Sequence, residues 1–117
     1  MDLEHATLAH QQFKSRLNQF IGGSLREPFD PVAAGRDDRC ELGLWLKGEG
    51  RRLYRNEEAF RQLELVHAQF HEKAGKVAKL AAEGDTKQAQ ALFDASFHED
   101  SREIALAIRR LRKPTHA

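Results

Sequence analysis

Four residues in this chain have side chains that could meet in one piece of chemistry: His10, Cys40, His67 and His71. His67 and His71 stand four apart, so on an α-helix they lie on one side, a turn from each other, and can bring two imidazole nitrogens to a single point. His67 also falls on the stripe Phe60, Leu63, His67, Phe70, Ala74, Val77, Ala81, at a position where the pattern asks for leucine. His10 does the same on the stripe Leu3, Ala6, His10, Phe13, Leu17, Phe20. Taken singly, each inward histidine also reads as a hydrogen-bonded core residue. Cys40 follows Asp37-Asp38, good N-cap material, and is expected in the first turn of a short helix. Exposed N–H groups and the helix dipole there favour thiolate over thiol, although a lone cysteine also serves as a small apolar residue. Three imidazoles and one thiolate together make a tetrahedral donor set suited to zinc. Glu64 and Asp100 are placed to support the imidazoles from behind, as a backbone carbonyl could equally do.

The elements that must position these groups are helical. The first helix is expected over about Asp2 to Ile21 and is stopped by Gly22-Gly23. Residues 24–38, with Pro28, Pro31 and Gly35, show no periodicity and read as a long loop, pinned by Leu25, Phe29 and Val32. Leu42, Trp45 and Leu46 form the apolar face of the short helix, Gly43 leaves room for a close approach, and Gly48-Glu49-Gly50 ends it. Asn56 is the expected N-cap of the helix bearing the histidine pair, which runs to about Glu83. After Gly84-Asp85-Thr86, a last helix from Lys87 to Arg112 turns Ala89, Phe93, Phe97, Ser101, Ile104, Ile108 and Leu111 inward, with Ser101 as its weak point, and Pro114 ends it. Three long helical stripes and no strand alternation predict an all-α antiparallel four-helix bundle in which one short helix bears the cysteine. His5 lies off the stripe, and His98 and His116 have no partner at ligand spacing.

Composition bounds the class. The 117 residues are one domain's worth, and residues 1–117 read as a single unit. Lys plus Arg number 19 against 18 for Asp plus Glu, with the signs interspersed, which argues against nucleic acid or an anionic membrane as main partner. No apolar run is long enough to span a membrane, and Met1-Asp2-Leu3-Glu4-His5 lacks the features of a secretion signal. A single cysteine excludes an intrachain disulfide, and a reducing, cytoplasmic setting is expected.

The joint pattern is more specific than its parts. His10-x-x-Phe13, then 26 residues to Cys40-x-Leu42-Gly43-x-Trp45, then 21 residues to His67-x-x-x-His71, resembles the signature of the chemoreceptor zinc-binding domain family. The turn at Gly84-Asp85 and the serine-bearing last helix are similar too, so the likeness covers nearly the whole chain. The resemblance implies a four-helix bundle, often homodimeric, binding Zn2+ through His10, Cys40, His67 and His71. Phe13, Leu42, Gly43 and Trp45 would be packing positions of the same motif. It further implies a bacterial cytoplasmic regulator attached to a chemoreceptor signalling domain or a diguanylate cyclase. Its output would be controlled by zinc occupancy or by oxidation of the zinc-bound cysteine, for example by hypochlorous acid. A purely structural zinc site that staples the helices and supports dimerisation is the alternative.

Two enzyme-like readings fit the residues poorly, and no catalytic residue is expected. A zinc hydrolase of the His-Glu-x-x-His kind needs a glutamate after the first histidine, where Ala68 stands, and four protein donors leave no open metal position. A di-iron bundle would need a second partner for Glu64-x-x-His67, and the sequence holds none.

Overall fold

In a computed structural model of the chain, which describes residues 3–38 and 40–112, every regular element is helical. Three helices are long: α1 (Leu3–Gly22), α5 (Glu58–Ala82) and α6 (Thr86–Arg112). Between α1 and α5 come three short ones, α2 (Pro31–Ala34), α3 (Glu41–Lys47) and α4 (Glu49–Tyr54). The all-α expectation holds, with three short helices between α1 and α5 where one was expected. None of the described helices is long and apolar enough to cross a membrane. The stop expected at Pro114, the tail beyond it and His116 lie outside the described residues, as does the side chain of His98.

Glycine sets the ends of the long elements. Gly23 has φ +78°, and the bonds Gly23 N–H to the Phe20 carbonyl (3.2 Å) and Ser24 N–H to the Gln19 carbonyl (3.0 Å) close α1 in a Schellman motif. Gly84, at φ +88°, repeats this after α5, with Gly84 N–H to Ala81 and Asp85 N–H to Leu80. Asp85 then caps α6, its Oδ1 accepting from the Gln88 N–H at 3.2 Å, so three residues suffice to fold α6 back along α5.

The stripes of α1, α5 and α6 meet in one apolar core. Phe70 stacks on Phe97 with centroids 4.9 Å apart, Phe93 meets Phe97 edge-on at 4.9 Å, and Phe13 meets Phe70 edge-on at 5.7 Å. In α6 the polar position of the buried face is Asp100, not Ser101: Asp100 is buried and Ser101 only half so. The Lys73 ammonium lies 3.2 Å from Oδ1 and 3.0 Å from Oδ2 of Asp100, pairing the carboxylate across the α5–α6 seam.

The segment expected to be a loop contains one helical turn. Asp30 supplies its N-cap, Oδ1 accepting from Val32 N–H at 3.0 Å, and Pro31 takes the first helical position, where its missing N–H costs nothing. Phe29 pins the segment, stacking on Phe20 (4.9 Å) and Phe13 (6.0 Å), while Val32, expected to anchor it, is 73% exposed. Further on, α3 does end at Lys47, but the chain restarts at once as α4, because Gly50 lets the backbone lie under the Trp45 ring. The N-cap of α5 is Glu57 rather than Asn56.

Phe97→Ala would open a cavity beneath two other aromatic rings. A loss of about 3–5 kcal/mol of unfolding free energy is expected, measured by urea denaturation.

Candidate metal centre

The site forms where the stripes of α1 and α5 would otherwise meet through leucines. His10 comes from α1, His67 and His71 from adjacent turns of α5, and Cys40 from the residue that begins α3. One ligand atom from each of the four lies within 4.8 Å of the other three. The Cys40 Sγ is 3.2 Å from His67 Nε2, 3.6 Å from His71 Nε2 and 4.0 Å from His10 Nε2. Zinc–sulfur and zinc–nitrogen bonds of about 2.3 and 2.0–2.1 Å put the sulfur–nitrogen edges of a regular tetrahedron at about 3.6 Å. The three distances bracket that edge, so these side chains fit a tetrahedral ion.

Cys40 is the N-cap of α3, with extended backbone (φ −97°, ψ 163°), rather than a residue of its first turn. Its Sγ accepts from the Gly43 N–H at 3.3 Å, taking the cap role expected of Asp37 or Asp38. Asp37 is used differently. Its carbonyl rests directly on the α-carbon of Gly43, in space a Cβ would need, and His67 Cε1 lies 3.2 Å from where that Cβ would stand. The close approach expected at Gly43 is therefore made by a turn and an imidazole, not by a packed helix.

Burial controls the protonation of all four groups. His10, His67 and His71 are 7, 1 and 3% exposed, so desolvation disfavours imidazolium. It drives the His10 pKa down to about 4, despite a hydrogen bond with the Ala6 carbonyl. His67 falls further, to about 2, because His71, His10 and Lys47 add repulsion to burial. His71 is lowered by burial too, with the Ala34 carbonyl and Asp37 acting against it. Three neutral imidazoles with available lone pairs are the form a metal requires. For Cys40, burial pushes the thiol pKa up, outweighing the N–H groups of Gly43 and Leu42 that pull it down. The expectation that the helix start favours thiolate fails here because α3 is only seven residues long and the sulfur is largely desolvated. A cation is what would draw the proton off.

The imidazole nitrogens that face away are held by backbone. His71 Nδ1 lies 2.9 Å from the Ala34 carbonyl and His10 Nδ1 lies 3.1 Å from the Ala6 carbonyl. A carbonyl only accepts, so both Nδ1 atoms carry the proton and both Nε2 atoms keep a lone pair toward the sulfur. Glu64 and Asp100, expected in this role, are engaged elsewhere: Glu64 with Arg51 at 2.9 Å and Asp100 with Lys73. Side-chain pattern had no means of finding Ala34, whose contribution is a carbonyl. Gly75, beside Ala74 of the stripe in the interior of a long helical segment, was the one available sign of a neighbouring backbone. His5 is exposed, 3.5 Å from Glu41. A cavity of about 350 Å³ between α1 and α2 reaches Cys40, His10 and His71 from solvent and is bordered by Phe13, Phe29 and Arg16.

The model of the chemoreceptor zinc-binding domain matches residues 10–78, from the first of these histidines to beyond the last, over more than half of the chain. The chain belongs to that family. No curated protein and no solved structure matches it. The chemoreceptor zinc-binding family binds Zn2+, and in this member the cluster of His10, Cys40, His67 and His71 offers a site for it.

The depressed histidines set an acid limit. Unfolded imidazoles take up protons below about pH 6.5, whereas folded His10 resists until about 4 and His67 until about 2. The unfolded state therefore binds more protons throughout that window, so stability is constant above it and falls with decreasing pH inside it. Denaturant midpoints of the metal-free protein, measured from pH 8 to 4 with a chelator present, are expected to be flat down to about 6.5 and then to drop. His67→Leu should flatten the drop.

Proposed function

We propose that this chain is a zinc-dependent regulatory module in which His10, Cys40, His67 and His71 hold one Zn2+ and Cys40 senses oxidants. The convergence of one sulfur and three imidazole nitrogens at tetrahedral edge lengths carries the ligand assignment. Zinc, when bound, keeps the sulfur as thiolate at neutral pH. Four protein donors leave no position for substrate, which favours regulation over catalysis. The cavity beside Cys40 is wide enough for a small neutral oxidant such as hypochlorous acid. The thiolate would attack the chlorine of hypochlorous acid, breaking the O–Cl bond and releasing hydroxide; water would then convert the sulfenyl chloride to sulfenic acid, chloride and a proton that neutralises that hydroxide. That removes one of four donors and the acceptor of the Gly43 N–H together. The output is read by a chemoreceptor signalling domain or a diguanylate cyclase, in cis or by docking, in the bacterial cytoplasm, and the module works as a homodimer. These last features rest on the family resemblance.

Elemental analysis should give one zinc per chain. Alanine at any of the four residues should weaken zinc by more than the roughly 10–100-fold that loss of an outer-shell partner costs, whereas His5→Ala and His98→Ala should leave it unchanged. Hypochlorous acid added below one equivalent should release zinc in step with oxidation of Cys40, followed by a chelating dye and mass spectrometry. Oxidation of Met1 or Trp45 first, or of Cys40 without change in zinc affinity, would instead make the metal a structural staple. Light scattering at monomer mass across micromolar concentrations would remove the homodimer.

A further inference from the structure

Helix α2 lies on α5 through two glycines. A Cβ on Gly75 would stand 2.7 Å from the Gly35 α-carbon, closer than real Cβ contacts come, and both atoms belong to backbone that cannot swing aside. A Cβ on Gly35 would stand 3.2 Å from the Gly75 α-carbon and 3.8 Å from the His71 carbonyl oxygen. Gly35 is the C-cap of α2, immediately after Ala34, and Gly75 follows His71 by one helical turn. The glycine contact and the bond from His71 Nδ1–H to the Ala34 carbonyl (2.9 Å) are thus neighbouring points of one docking. Gly75 is costly in a helix interior, where alanine is favoured, and its φ is not positive. Neither backbone conformation nor helix propensity calls for glycine there; only the approach of α2 does.

We propose that Gly35 and Gly75 are positioning residues for the metal, bringing α2 close enough for the Ala34 carbonyl to fix the ring of His71. The inference rests on the zinc reading above and adds to it that the affinity of the site is set partly by a helix that contributes no ligand. His10 provides the contrast, because its Nδ1 is held by the Ala6 carbonyl within α1 and is independent of α2.

The test uses the 117-residue chain carrying Gly75→Ala, Gly35→Ala or Gly22→Ala. The last is a control, since a Cβ on Gly22 would meet nothing within 4 Å. Zinc affinity is read by competition with a chromophoric chelator. Solvent exchange of the His71 and His10 Nδ1 protons is read by NMR on the zinc-loaded protein. Gly75→Ala should weaken zinc by about 10–100-fold, the range for loss of an outer-shell partner, and Gly35→Ala by less, following the looser contact. In both, the His71 Nδ1 proton should exchange faster while that of His10 is unchanged, and Gly22→Ala should match the parent. Equal loss of protection at His10 and His71 would mean general loosening and would overturn the proposal. So would parental zinc affinity, or an unaltered His71 proton, in Gly75→Ala and Gly35→Ala, with the zinc reading left standing. If the parent chain binds no zinc, that reading fails and this inference with it. Should Gly75→Ala not fold, Gly35→Ala decides by the same criteria.

Discussion

The structure depends on four polar side chains meeting in a place built for apolar ones. Three imidazoles and a thiol occupy the junction of α1, α3 and α5, with the imidazoles buried and the cysteine half-buried. Burying such groups without full hydrogen bonding costs free energy, and here each Nε2 faces a sulfur that cannot satisfy three lone pairs at once. A divalent cation turns the same convergence from a cost into a gain, on the order of 10 kcal/mol for structural zinc. The surrounding order follows from that. The aromatic layer of Phe13, Phe70 and Phe97 excludes water on one flank, and Phe29 closes the segment that leads to α2.

Ligand direction is controlled by backbone more than by side chains. Carbonyls of Ala6 and Ala34 choose the tautomer of His10 and His71, and neither acceptor is removed by replacing its own residue's side chain. Glycines then set how near the backbone comes: Gly43 admits the Asp37 carbonyl beside His67, and Gly75 admits α2 beside His71. Charged groups near the site, Asp37 and Lys47, pair with each other at 3.5 Å and so limit their net field on it.

The long helices and the four clustered residues were legible because they follow rules of period. A stripe with a histidine at a leucine position is visible in sequence, and four-residue spacing fixes which side of the helix it occupies. What escaped was everything decided by tertiary contact. The single turn of α2 has no period to read, and its cap, Asp30-Pro31, was the only local trace. Asp100 lies inward because Lys73 of another helix reaches it, so the polarity of one strip alone pointed to Ser101. Phe60, on the inward stripe of α5, is fully buried with Trp45 of α3 edge-on against it, while among the described residues Leu8, Val32, Leu44, Leu53 and Leu65 are the large apolar residues left exposed. The Cys40 environment was misjudged for a related reason: a helix start was inferred correctly, but its burial was not, and burial outweighs the field of so short a helix.

Cys40 is the donor best placed to turn a local change into a movement. The histidines sit within α1 and α5, helices of 20 and 25 residues whose packing would survive the loss of one contact. Cys40 instead begins a helix of seven residues, and its sulfur serves both the donor cluster and the first turn of that helix through Gly43. In so short a helix a cap is a large share of the local stability, since few internal bonds exist to hold the turn. Any change in the sulfur's charge or size therefore acts on the α3 backbone directly, without passing through a side-chain rotamer. Apart from its caps, α3 is restrained by Leu42, Leu46 and Trp45, which anchor one face.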